Sequence, residues 1–169
     1  MNAPSCLSTV MELSHLIAQK ETTCRALLNI LHEERRAIRS LAIERVHSLN
    51  GERLALLESL RQLVQKTDEL THDLVRQRGI PAPASLPTLL EQLTPEEAGE
   101  LRSRYRSLAR ISELIREELR QNASLIETIR SLIDRTLSTG NAAAWEQGGY
   151  GSDGRRTAAP TTVLLSHQG

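Results

Sequence analysis

The chain has 169 residues, 39% of them hydrophobic, and its 21 basic and 21 acidic side chains give a formal net charge of zero at pH 7. This length allows one domain with a modest core, and the balanced charge provides no electrostatic footprint for nucleic acid or an anionic membrane. Aromatic residues make up only 2% of the chain, so the composition favours long amphipathic helices over a β-sandwich or barrel.

The N-terminal sequence MNAPSCLSTV has no basic region followed by an apolar block, which a signal peptide would require. No apolar run approaches the roughly 20 residues that a membrane span needs. We therefore predict a cytoplasmic protein without membrane insertion.

The first helical pattern begins near the N-terminus, where apolar residues recur in alternating steps of three and four. The positions of this first seam are Val10, Leu13, Ile17, Cys24, Leu27, Leu31, Ile38 and Leu41. Lys20 and Glu34 interrupt it. The phase slips after Leu41, which predicts a helix break near Ser40. The dipeptide Asn50-Gly51 is a competing site for that break, since it is a good turn signal.

A second seam follows, and its positions are Val46, Leu49, Leu56, Leu60, Leu63, Leu70 and Leu74. Gly79 is a suitable C-cap residue for this helix, and the prolines of the next stretch, RGIPAPASLP, cannot continue it. A short helix is predicted at residues 88–93.

The third long helix is predicted to begin at the sequence TPEE, with Thr94 as the cap and Glu97 completing a capping box. Its seam consists of Leu101, Tyr105, Leu108, Ile115, Leu119, Asn122, Ile126, Ile129 and Ile133, and the pattern stops at Gly140. Asn122 has two interpretations. A buried Asn in a helical seam fixes the register of packing, whereas an Asn on an open face could hydrogen-bond to a partner helix.

These patterns predict an all-α protein, an elongated antiparallel helical hairpin or bundle with three long helices and one short helix. We expect a helical domain over residues 1–139 and a flexible C-terminal tail over residues 140–169, because the tail is rich in Gly, Ser, Thr, Ala and Pro and has no periodicity. Whether the seams pair within one chain or between chains, and hence the oligomeric state, stays open at this point.

Two E-x-x-H sequences, Glu12 to His15 and Glu69 to His72, have the spacing found in di-iron helical bundles. Their phase argues against a metal centre, because the seam residues Leu13 and Leu70 place these four side chains on the opposite, solvated faces. Patterns of catalytic phosphate-binding loops and nucleophile elbows are absent as well. We expect no metal, no cofactor and no enzymatic activity.

Four further segments follow one another along the chain, ERLALLESL at 52–60, GIPAPASLPTLLEQL at 79–93, QNASLI at 121–126 and YGSDG at 150–154. Taken together and in this order, they resemble the FlgN family of flagellar type III export chaperones. The last is similar to a family tail motif of Tyr-Gly, a variable residue and Asp-Gly. A second Asn that often precedes the one at position 122 in this family is missing here.

The resemblance implies a cytosolic chaperone that binds hook-filament junction proteins (the hook-associated proteins), prevents their premature assembly and delivers them to the cytoplasmic domain of the export gate. Combined with the third seam, it predicts a cargo site for terminal helical segments at Leu119, Asn122, Leu125, Ile126, Ile129, Ile133, Val163, Leu164 and Leu165. It also predicts gate docking by Tyr150, Gly151, Asp153 and Gly154. Which junction protein is preferred stays open. The alternative function is a self-associating coiled-coil scaffold that binds no cargo.

Overall fold

The computed structural model describes residues 6–81, 83 and 85–146. Within this part the chain forms four helices, α1 (Cys6–Arg39), α2 (Ile43–Gln77), α3 (Leu86–Gln92) and α4 (Pro95–Glu146), and no strand. The predicted all-α fold of three long helices and one short helix is confirmed.

The break between the first two helices lies at Ser40, as the slip in the apolar pattern predicts. Two hydrogen bonds close the end of α1, from Leu41 N to the Ile38 carbonyl (3.1 Å) and from Ala42 N to the Ala37 carbonyl (2.9 Å). This is the Schellman arrangement, and it requires a left-handed residue. Leu41 takes that conformation with φ of 54°. It is 60% exposed, so its predicted place in the first seam is wrong.

The competing break at Asn50-Gly51 is not used, because both residues lie inside α2. The Asn50 side chain accepts a hydrogen bond from Arg53 Nη2 at 2.6 Å, within the same helix. The turn propensity of the dipeptide is thus overridden by the helix around it.

Gly79 follows the C-cap residue Arg78 at the end of α2 and has a φ of 66°. Its N–H donates to the Arg76 carbonyl (3.2 Å), and the N–H of Ile80 donates to the Val75 carbonyl (3.1 Å). This is a second Schellman ending, with Gly one position beyond the cap itself.

Two units make up the chain, Met1–Leu125 and Ile126–Gly169. The core lies in the first unit, where α1 contributes the largest share of buried residues. Buried residues of this core are Val10, Leu13, Ile17, Cys24, Leu27, Leu31, Leu74, Val75, Leu89, Leu90, Leu93, Ala98, Leu101, Leu108, Ile111 and Ile115.

The seam of α2 is less buried than its pattern predicts. Among its predicted positions only Leu49 and Leu74 are buried. Two threonines, Thr67 and Thr71, are buried as well, and their hydroxyls donate to the carbonyl oxygens of Leu63 (2.6 Å) and Thr67 (2.7 Å). These bonds to the preceding turn allow polar side chains to face the core without an unsatisfied hydroxyl.

One ion pair lies between α1 and α2 at a core position. The Glu34 side chain, which interrupts the first seam, is 4% exposed, and Arg53 Nη1 lies 3.0 Å from its carboxylate. The seam therefore tolerates a carboxylate at this point because α2 supplies its counter-charge.

Helix α3 has only seven residues, and a side chain from α4 hydrogen-bonds to its C-terminal end. The guanidinium of Arg102 donates to the carbonyl oxygens of Leu90 (3.1 and 2.6 Å) and Leu93 (3.1 Å). These oxygens lie at the end of α3, where helical partners are lacking. Arg102 thus caps α3 from outside.

The end of α4 differs from the prediction at Gly140, because the helix continues to Glu146. The sequence after Gly140 contains three consecutive alanines, 142–144. Ala has the best helix propensity, and it compensates for the roughly 1 kcal/mol that a helical Gly costs relative to Ala. The helix therefore passes a residue at which the apolar periodicity already stops.

Candidate functional site

Asn122 on α4 is buried, with 5% of its surface exposed. Its Nδ2 donates to the backbone carbonyl of Leu31 over 3.0 Å, and its Oδ1 accepts from Arg35 Nε over 3.1 Å. Both partners belong to α1. The carboxamide is thus occupied by hydrogen bonds inside the first unit, which is the geometry of a residue that fixes the register between two helices.

A polar network extends from Asn122 along the same interface. Arg35 Nη2 lies 2.5 Å from Glu118 Oε2, and His32 Nε2 lies 3.3 Å from Glu118 Oε1. The Arg35 and Glu118 atoms of this pair are both buried and have no other hydrogen-bond partner among the described residues. Each of these charges is therefore compensated chiefly by the other.

Apolar side chains of α4 become exposed beyond this network. In the first unit, Leu119 is 43% exposed and Leu125 is half-buried. In the second unit, Ile126 is 52% exposed and Ile133 is 51% exposed, while Ile129 is half-buried. Neighbouring exposed apolar side chains of this size indicate an interaction site.

Two exposed leucines in the same stretch are absent from the predicted cargo residues. Leu132 is 64% exposed and Leu137 is 62% exposed. Leu137 continues the steps of three and four from Ile126 through Ile129 and Ile133, so the signal was present in the sequence. The predicted seam ended at Ile133 and therefore left Leu137 out. We call Ile126, Ile129, Leu132, Ile133 and Leu137 the distal apolar surface.

The predicted tail residues Val163, Leu164 and Leu165 lie outside the described residues. So do Tyr150, Gly151, Asp153 and Gly154, which the sequence assigned to gate docking.

The two E-x-x-H sequences are solvated, because Glu12, His15, Glu69 and His72 are all exposed. In the described part of the chain, no group of three or more His, Cys, Asp or Glu side chains is placed to hold a metal ion. None of the described helices combines the length and the apolar character that crossing a membrane requires.

Ionisable groups inside the first unit have pKa values that follow from their surroundings. Burial lowers the pKa of Lys20, and the Asp68 carboxylate opposes this shift. Burial also raises the pKa of the Cys24 thiol. Both groups lie on α1, and the charge of Lys20 partly offsets the raised pKa of Cys24.

The family model described as FlgN protein matches residues 1–158. The chain belongs to the FlgN family. It is therefore a flagellar export chaperone, from a family of chaperones rather than of enzymes. The FlgN match spans the whole described part of the chain and also the YGSDG sequence. No curated protein and no solved structure matched the chain.

Proposed function

We propose that this FlgN-family chaperone works in the cytoplasm, where it binds the terminal helical segments of hook-filament junction proteins and prevents their premature assembly. The distal apolar surface is the proposed cargo site. The observation that supports it is the exposure of four large apolar side chains, Ile126, Leu132, Ile133 and Leu137, within three turns of one helix.

The spacing of these side chains suits an amphipathic helix as the ligand. Ile126, Ile129, Ile133 and Leu137 follow steps of three, four and four, which is the pattern by which helices recognise one another. Burying one such side chain contributes about 1.5–3 kcal/mol. Several anchors of this size are enough to offset the cost of ordering a cargo segment.

Charged side chains border this surface. Arg130 lies 4.0 Å from Asp134, and both are largely exposed. Such pairs contribute little to stability, but they keep the helix solvated around an apolar centre. This is the usual composition of a binding site with a polar rim.

Asn122 has a different part in this proposal. Because α1 satisfies its carboxamide, we assign it to the packing of the first unit rather than to direct contact with cargo. Leu119 and Leu125 remain candidate cargo contacts of the first unit, and Val163, Leu164 and Leu165 are candidate contacts in the proposed tail segment 140–169.

Gate docking is the second half of the proposal. We assign it to Tyr150 with Gly151, Asp153 and Gly154. Tyr150→Ala should preserve the affinity for cargo and reduce the secretion of junction proteins by living cells. Equal loss of cargo affinity and secretion would contradict this division of roles.

The cargo site can be tested by calorimetric titration with the terminal helical segment of a junction protein from the same organism. Ile133→Glu should weaken binding at least tenfold, because it places a charge at the centre of the apolar surface. Leu54→Glu is the matched control, since Leu54 is 58% exposed on α2. It should bind as the unchanged protein does.

Truncation after Thr139 separates the two proposed cargo regions. Binding that falls sharply on truncation would assign cargo chiefly to residues 140–169, which include the last turns of α4, and binding that is unchanged would leave it on the part of α4 before Gly140. If neither protein binds while circular dichroism shows both to be helical, the chaperone proposal for this cargo fails. A stable homo-oligomer lost on Ile133→Glu would then favour the coiled-coil scaffold.

A further inference from the structure

A groove of about 480 Å³ lies between α1 and α4, entirely within the first unit. Its size is in the range of pockets that bind small ligands or side chains of a partner. The residues that line it are Arg25, Leu28, Asn29, Ser107, Arg110, Ile111 and Leu114. None of them belongs to the distal apolar surface.

The floor of the groove is apolar. Ile111 is a buried residue of the core, and Leu28 is half-buried against that core. Leu114 forms a lip and is 46% exposed. Burial of a partner's apolar side chain against such a floor is favourable, because it removes apolar surface from water.

The rim of the groove is cationic. Arg25 Nη2 lies 2.5 Å from Glu21 Oε1, and the hydroxyl of Ser107 donates to the same oxygen over 2.7 Å. These hydrogen bonds, from Arg25 first and then Ser107, lower the pKa of Glu21, so its carboxylate is charged near neutral pH. It holds Arg25 at the edge of the groove.

Arg110, on the other helix, has no ion-pair or hydrogen-bond partner within the described part of the chain. Glu21 is paired with Arg25, so the guanidinium of Arg110 is an unbalanced positive charge at the rim. Arg guanidinium groups favour carboxylates as ligands because their N–H groups can bind both oxygens.

The groove is short. Along α4 its lining begins at Ser107, which contacts Arg25 of α1, and ends at Leu114. The seven-residue step from Ser107 to Leu114 spans about 10 Å along α4. A ligand therefore contacts it over about two helical turns.

We propose that this groove is a second protein-binding site, for a short partner segment that has a Leu-like side chain next to an Asp or Glu carboxylate. The apolar side chain occupies the floor, and the carboxylate pairs with Arg110. Charge complementarity supports this occupant over a nucleic acid, because one unbalanced charge beside an apolar floor is a poor match for a series of phosphates. The inference is independent of the cargo site proposed above.

The test is a titration of the full-length, ¹⁵N-labelled protein with a short capped peptide of leucine and glutamate. Two further peptides have Gln or Lys in place of every Glu. We expect the glutamate peptide to shift the amide signals of Asn29, Arg110 and Leu114. The glutamine peptide should bind about fivefold more weakly, as expected for one exposed ion pair, and the lysine peptide should not bind.

Variants separate the two contacts. Arg110→Gln should reduce the affinity for the glutamate peptide to that for the glutamine peptide, and Leu114→Ser should weaken both. Lys66→Gln is the matched control, since Lys66 is exposed on α2, and it should change neither affinity. Ile133→Glu should not change them either, which distinguishes this groove from the proposed cargo site.

Three results would overturn the inference. The first is no shift at the groove with millimolar glutamate peptide. The second is equal affinity for all three peptides, which would mean that Arg110 does not distinguish the charge of the peptide. The third is a shift of the groove signals with protein concentration alone, which would make a second copy of the chain the occupant.

Discussion

Arg35 and Asn122 are joined across the α1–α4 interface by a hydrogen bond of 3.1 Å from Nε to Oδ1. The same guanidinium forms an ion pair with Glu118 one turn earlier on α4. Arg35 thus contacts two positions of one helix face, and a slide of α4 by one turn would break both contacts. The pairing fixes how the two helices align, which the apolar contacts alone do less strictly.

Replacement of Asn122 by Ala should lower the free energy of unfolding by about 1–3 kcal/mol, because it leaves Arg35 Nε without its acceptor in a buried place. Urea unfolding followed by circular dichroism measures this. Gln121→Ala is the control, since Gln121 is exposed, and it should change the free energy by less than about 0.5 kcal/mol. Equal effects of the two substitutions would mean that the Asn122 hydrogen bonds contribute nothing to stability.

Arg53→Met should be more damaging than its half-exposed position suggests. It removes the partner of the buried Glu34 carboxylate, and an uncompensated buried charge costs about 3–5 kcal/mol. Adding Glu34→Met should restore much of the loss, because the double variant has no buried charge. The comparison is a double-mutant cycle by urea unfolding. If the losses of unfolding free energy in the two single variants add up to the loss in the double variant, the two side chains do not interact.

Leu41→Gly should raise the free energy of unfolding by about 1 kcal/mol. Leu41 has a φ of 54°, and a left-handed conformation costs about that amount for a residue with a Cβ. Its exposed side chain loses little packing. Ala42→Gly is the control, since Ala42 has an ordinary φ of −79°, and it should destabilise. A lower free energy of unfolding for both variants would mean that Leu41 is not strained.

Lys20→Met should stabilise the protein at neutral pH, because burial disfavours the ammonium group and lowers its pKa from 10.5. In the unchanged protein, Lys20 releases its proton at a lower pH when folded than when unfolded. Stability therefore rises with pH from the lowered pKa up to 10.5. The gain in stability from Lys20→Met should therefore decrease as the pH rises through that range. Thermal unfolding at a series of pH values measures it, with exposed Lys66→Met as the control. An advantage independent of pH would contradict the expected shift.

The helices could be predicted from the sequence because the apolar spacing that indicates them is a local feature. The seam of α1 predicts its buried face, and the phase slip near Ser40 predicts where the chain turns. Leu41 shows the limit of this reasoning. It continues the apolar spacing, but the turn needs a left-handed residue at that position, and the side chain points to solvent.

Partners across the bundle could not be predicted, because they depend on how the helices align. Glu34 and Lys20 both interrupt the α1 seam as charged residues, and nothing local indicates that Arg53 pairs with one and Asp68 lies near the other. The groove between α1 and α4 could not be predicted for the same reason. Arg25 and Arg110 are far apart in sequence and become neighbours only when both helices have packed.

The cap that Arg102 provides for α3 has a consequence for protein synthesis. Helices α1 and α2 form a hairpin whose contacts are complete once residue 77 has left the ribosome. We expect helix α3 to form only after Arg102 has emerged, because that guanidinium donates three hydrogen bonds to its last carbonyl oxygens. Amide exchange on stalled nascent chains of increasing length should therefore show late protection of α3, well after the hairpin that precedes it.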